Sequence, residues 1–142
     1  MKTLITFGCS FTDKINEAWP EPLSKLNNFK LINKGKSSAG NYHIAHSVYD
    51  TIYDSDNSVV IVMWSGIDRI DMAVSKREFH YFDKHTITDN WLHSGGKMLF
   101  DNSKSKDRYW LNYYKTYHTE EDSYLQTLQH IIGAQEFLSN RK

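Results

Sequence analysis

Apolar residues along the chain fall in short bursts separated by polar stretches that contain glycine. Lys2 to Phe7 is apolar, with β-branched and aromatic residues, and stops at Gly8, which predicts a strand. Glu21 to Asn27, near Pro20 and Pro22, predicts a short helix. Phe29 to Asn33 predicts a second strand, closed by the loop KGKSSAGN. Ile44, Val48, Tyr49 and Ile52 recur at helical spacing between Tyr42 and Tyr53, so this stretch is read as an amphipathic helix, broken by DSDN. Ser58 to Trp64, SVVIVMW, is the most apolar run, and its lack of alternation predicts a parallel strand covered on both faces. Glu120 to Asn140 predicts a long helix. Thr119 caps it, three acids occupy its first turn, and its buried face is read as Leu125, Leu128, Ile131, Ile132, Gln135 and Leu138. Strand, helix, strand, helix, strand is the order of a doubly wound α/β sheet. Residues 67–118 break the pattern. They are polar and rich in Tyr, Trp and Lys, and are read as a long, partly helical insertion over one end of the sheet.

The 142 residues suit a single α/β domain, 1–142. Lys plus Arg and Asp plus Glu balance at 17 each, so charge directs the chain to neither nucleic acid nor an acidic membrane surface. Cys9 is the only cysteine, which leaves no internal disulfide and no Cys-based zinc site. The N-terminal apolar run is too short for a signal peptide, and no stretch is long enough to span a bilayer. The expectation is a cytoplasmic protein with no cofactor and no metal.

Ligands of open α/β sheets bind outside the carboxyl ends of the strands. The stretches that leave the three predicted strands there are GCSFT, NKGKSSAGN and WSGIDR, all built from Gly, Ser or Asn. Glycine lets backbone approach a ligand, and hydroxyl and amide groups attack or hydrogen-bond it. Ser10 is therefore either a turn serine or a nucleophile at the mouth of the sheet. Cys9 lacks the nearby arginine of a phosphatase loop and is read as a small semi-buried residue.

In these stretches the chain resembles the SGNH, or GDSL-type, hydrolases, and most closely the SGNH-like proteins of phages and marine bacteria. GCSFT resembles block I, INKGKSSAGN resembles block II, and WSGIDR stands where block III belongs. The resemblance covers roughly the first half of the chain. It implies a three-layer, flavodoxin-like parallel sheet with strand one between two and three. It implies ester hydrolysis or acyl transfer through a Ser10 acyl-enzyme, without metal, on a small-molecule or carbohydrate ester. The oxyanion-region candidates are Ser38, Gly40, Asn41, Ser65 and Asp68, with Ser38 where the usual block II glycine stands. Asp68 replaces the block III asparagine, and a carboxylate does not stabilise a developing oxyanion. The Asp-x-x-His of block V is missing from the tail, so the chain reads as the family's first three strands, cut after the helix that follows the third. An incomplete sheet of this kind leaves Val59 to Met63 as an open apolar edge. That edge predicts self-association or pairing with a complementing second chain.

Other residues carry weaker signals. His43 and His46 share a helix face; that face is read as solvated, with His43 as a surrogate base. His80, His85 and His93 lie in the insertion, and His118 and His130 flank or ride the last helix. Asp68, Arg69 and Asp71 form either a salt-bridged loop or a site in which Arg69 holds an anionic group. Tyr109 to Tyr117, YWLNYYKTY, is read as packing of the insertion on the sheet rather than as a stacking platform. Two rivals to the hydrolase remain: a non-catalytic SGNH-like module that binds a glycan or protein partner, and a small nucleotide-binding α/β protein.

Overall fold

The computed structural model describes residues 1–14, 18–51, 54–73, 87–88, 91–94 and 108–141, with 87–88 and 108–109 described as backbone only. Its main sheet has three parallel strands. β1 (Thr3–Gly8) leads through α1 (Pro20–Leu26) to β2 (Lys30–Gly35), and α2 (Asn41–Asp50) returns the chain to β3 (Ser58–Val62). The strand order is β2-β1-β3, so the first strand is central. In register, Ile5 lies between Ile32 and Val60, and Thr6 between Asn33 and Ile61.

Alternation on β1 sorts the two faces. Ile5 and Phe7, both 0% exposed, pack with Ile32, Val60 and Val62 against Ile44 and Val48 of α2 and Ala134 of the last helix. Leu4 and Thr6 face the other way and are also buried. There the Thr6 hydroxyl lies 3.2 Å from Asn33 Oδ1, and Asn33 Nδ2 donates to the Thr12 carbonyl at 2.6 Å. Unlike the fully covered strand that its composition predicts, β3 is half-buried at all five positions. Among the described residues it pairs with β1 alone, so it forms a sheet edge.

The region read as an insertion holds a second sheet. β4 (Asp71–Ala73), β5 (Ile87–Thr88) and β6 (Trp91–His93) form an antiparallel sheet in the order β4-β6-β5. Strands of two and three residues are too short for any periodicity to mark them. α3 (Arg108–Thr116) lays the buried rings of Trp110 and Tyr114 against Leu92 of β6. The aromatic run thus builds the core of the second sheet rather than packing on the first.

α4 (Glu120–Ser139) begins as read, with Thr119 Oγ1 accepting from Asp122 N at 3.2 Å. Its buried face matches the predicted one only in part: Leu138 packs on the core beside Phe137, and Leu128 and Ile131 are half-buried. Ser123, Thr127 and Ala134 point inward toward α2, while Leu125 and Ile132 are 58% and 56% exposed. Small side chains let α4 and α2 approach closely, and Asn41 Nδ2 fixes the facing with a 3.1 Å bond to Thr127 Oγ1. No helix among the described residues is long and apolar enough to cross a membrane.

Ala134→Leu is expected to destabilise the fold by about 1–3 kcal/mol through overpacking. Leu125→Ser is expected to stay within about 0.5 kcal/mol of the native chain. Urea unfolding of both variants checks the facing of α4, because the reverse ranking corresponds to the helix rolled onto its apolar side.

Candidate functional site

The carboxyl edge of the main sheet is built by loops that fold over glycines. Thr12 N and Asp13 N both donate to the Cys9 carbonyl, at 2.9 and 3.1 Å, so the chain turns sharply after β1. A Cβ on Gly8 would overlap the Thr12 side chain, and one on Gly35 would lie 2.5 Å from the Thr12 backbone. The first loop can therefore press on both strand ends only where side chains are missing. Asp13 Oδ2 then accepts from Ser37 N and Ser37 Oγ, each at 2.8 Å, and ties the first loop to the second.

Ser10 is half-buried on this edge. The Ser10 and Ser65 side chains lie beside the thiol of Cys9, itself 2% exposed, and the Ser65 hydroxyl is buried with no hydrogen-bond partner among the described residues. Burial pushes that thiol up. The Phe11 N–H, the two hydroxyls and the charge of Arg69 outweigh burial, and the net shift is downward. Ser38 is exposed and holds φ at 67°, the left-handed region where glycine is usual. Its N–H has no hydrogen-bond acceptor among the described residues.

The other oxyanion candidates are engaged in the fold. The Gly40 N–H donates to Asp71 Oδ1 at 2.8 Å. Asn41 Oδ1 accepts from Ser65 N at 2.7 Å while its Nδ2 donates to the Ser65 carbonyl at 3.2 Å. That reciprocal pair locks the start of α2 to the chain leaving β3. Asp68 is half-buried, and its carbonyl accepts the Tyr114 hydroxyl at 2.6 Å. Burial drives the Tyr114 phenol well above its ordinary range, so it stays protonated and donating.

The most constrained group on this edge is one the motifs do not mark. Both Asp71 and His93 are buried, and His93 Nδ1 lies 2.7 Å from Asp71 Oδ1. Asp71 Oδ2 accepts from His43 N at 2.8 Å. One carboxylate thus serves two N–H groups in the first turn of α2, which has no side-chain cap and no acid there of its own. The partners are 22 residues apart in the chain, so no spacing rule joins them. The one available signal was an uncapped helix start at Gly40-Asn41, which implies a cap from elsewhere.

His43 does not sit on a solvated face. Its ring meets Trp91 and His93 edge-on, at 5.0 and 4.9 Å between centroids. Burial lowers its pKa from 6.5 to about 4, against the pull of Asp71. His46 pairs with Asp50 at 2.9 Å on the exposed side. His130 stacks on Tyr42 at 5.4 Å, and burial lowers its pKa too. His80 and His85 lie outside the described residues.

The structure thus brings Ser10 together with Ser65, and Gly40 and His43 together with Asp71. Among the described residues, neither His43 nor His93 hydrogen-bonds Ser10. His93 Nε2 and His43 Nδ1 are buried with no hydrogen-bond partner among the described residues, and His43 Nε2 lies 3.5 Å from Ser47 Oγ. Among the described residues no group of three or more His, Cys, Asp or Glu is placed to hold a metal ion. No family model, curated protein or solved structure matches the chain.

Asp71→Ala leaves two helix N–H groups and an imidazole unmet and is expected to cost about 3 kcal/mol or more in urea unfolding. Asp71→Asn keeps one acceptor and is expected to lose less. His43 binds a proton less readily folded than unfolded, so its contribution is full above pH 6.5 and is lost as pH falls toward 4. In that window His43→Gln should show a shallower fall of stability than the native chain.

Proposed function

We propose that the chain is an acyl-ester hydrolase of the SGNH type, on a flavodoxin-like sheet, with Ser10 as the attacking residue. The observation that carries this reading is Ser38. It stands where the family's block II has glycine, adopts φ 67°, and keeps its N–H free of any acceptor among the described residues. The Asp13–Ser37 bonds hold its loop to the one that bears Ser10. In this mechanism Ser10 Oγ attacks the ester carbonyl and its proton passes to a base. The oxyanion takes the Ser38 N–H, the alcohol leaves, and water releases the acyl group. Gly40 and Asn41 serve by fixing the loop, not as donors, because Asp71, Ser65 and Thr127 occupy them. His93 is oriented by Asp71 as a base would be, yet its Nε2 is sealed and not bonded to Ser10. An ester of an acetylated carbohydrate is the substrate class by analogy.

The same sealed pair favours a second reading, a non-catalytic SGNH-like module that binds its ligand at this edge. Labelling with a fluorophosphonate, followed by intact mass, separates the two. The hydrolase reading expects one adduct per chain, absent in Ser10→Ala. A folded chain that takes up no label supports the binding module.

A further inference from the structure

The inward face of α4 leaves a hollow. Ser123 and Thr127, both short and buried, line it. The result is a cleft of ≈ 480 Å³ between α4, the start of α2 and the chain after β3, within the size range of small-molecule sites. Arg69 lines it, half-buried. Its guanidinium makes one long bond, 3.4 Å to the Ala39 carbonyl, and has no carboxylate partner among the described residues. A partly desolvated guanidinium without a counter-charge is costly and calls for an anion. The nearest built-in acid on the cleft wall, Asp71, already shares its two oxygens among Gly40 N, His43 N and His93. On the opposite wall Gln129 and the Tyr42–His130 stack offer uncharged polar edges.

We propose that this cleft binds a small oxyanion-bearing molecule, a carboxylate or a phosphate ester, with its anionic group on Arg69 and its body against Tyr42 and His130. Arginine's planar fork matches either head group. The Arg69 charge also reaches the Cys9 thiol beside Ser10, and anion binding in the cleft does not require Ser10 to act as a nucleophile.

The test is an NMR titration of the native chain at neutral pH with inorganic phosphate and, separately, acetate, each at constant ionic strength against sodium chloride. Saturable shifts of the Arg69 side-chain N–H and of the Thr127 amide are expected with one or both anions, and the tighter one names the head group. Arg69→Gln should weaken binding by roughly tenfold or more, and Arg69→Lys by less. Ser10→Ala should bind as the native chain does. Shifts no larger than those with chloride, or an Arg69→Gln chain that titrates like the native one, would overturn the proposal.

Discussion

One buried carboxylate organises the functional end of this protein. α2 starts at a glycine, with no polar side chain to cap it and no acid in its first turn. Asp71, from the second sheet, meets two of the helix's first N–H groups, and His93 meets Asp71. Burying a carboxylate is unfavourable unless its lone pairs are filled, and here three donors fill them. The bond set joins the helix that follows β2, the strand β4 and the strand β6. It works beside the ring contacts of Trp91 with Tyr42, His43 and His46, which also hold the second sheet to α2.

A second clamp works on the same principle. The Asn41 amide reads both the N–H and the carbonyl of Ser65 and also reaches Thr127 on α4. Together Asp71 and Asn41 bring four segments that are distant in sequence to the start of α2. The polar residues that resemble catalytic donors are in large part the fasteners of this corner. Ser38 is the candidate whose N–H the fasteners do not take, which is why the hydrolase reading rests on it.

The main sheet was legible because its three strands are apolar bursts ended by glycine or polar loops, and because central β1 is buried on both faces. The site was legible in part. Loops at the carboxyl edge announced themselves by composition, and Ser10, Gly40, Asn41 and Ser65 do gather there. The Asp71–His93 pair was not legible, since it joins residues across a turn of sheet whose strands are too short to leave a pattern. Its consequence for His43, which faces aromatic rings rather than water, was hidden for the same reason. The facing of α4 was legible in part: Leu138 does pack on the core, but toward the start of the helix small Ser123 and Thr127 are buried where periodicity pointed to Leu125.

That choice on α4 leaves the helix with two competing addresses. The observed roll leaves Leu125 and Ile132 in water, and it is held by Ala134, Phe137 and Leu138 on the core and by the Asn41–Thr127 bond. A landscape in which local composition and tertiary anchors disagree is frustrated at that point.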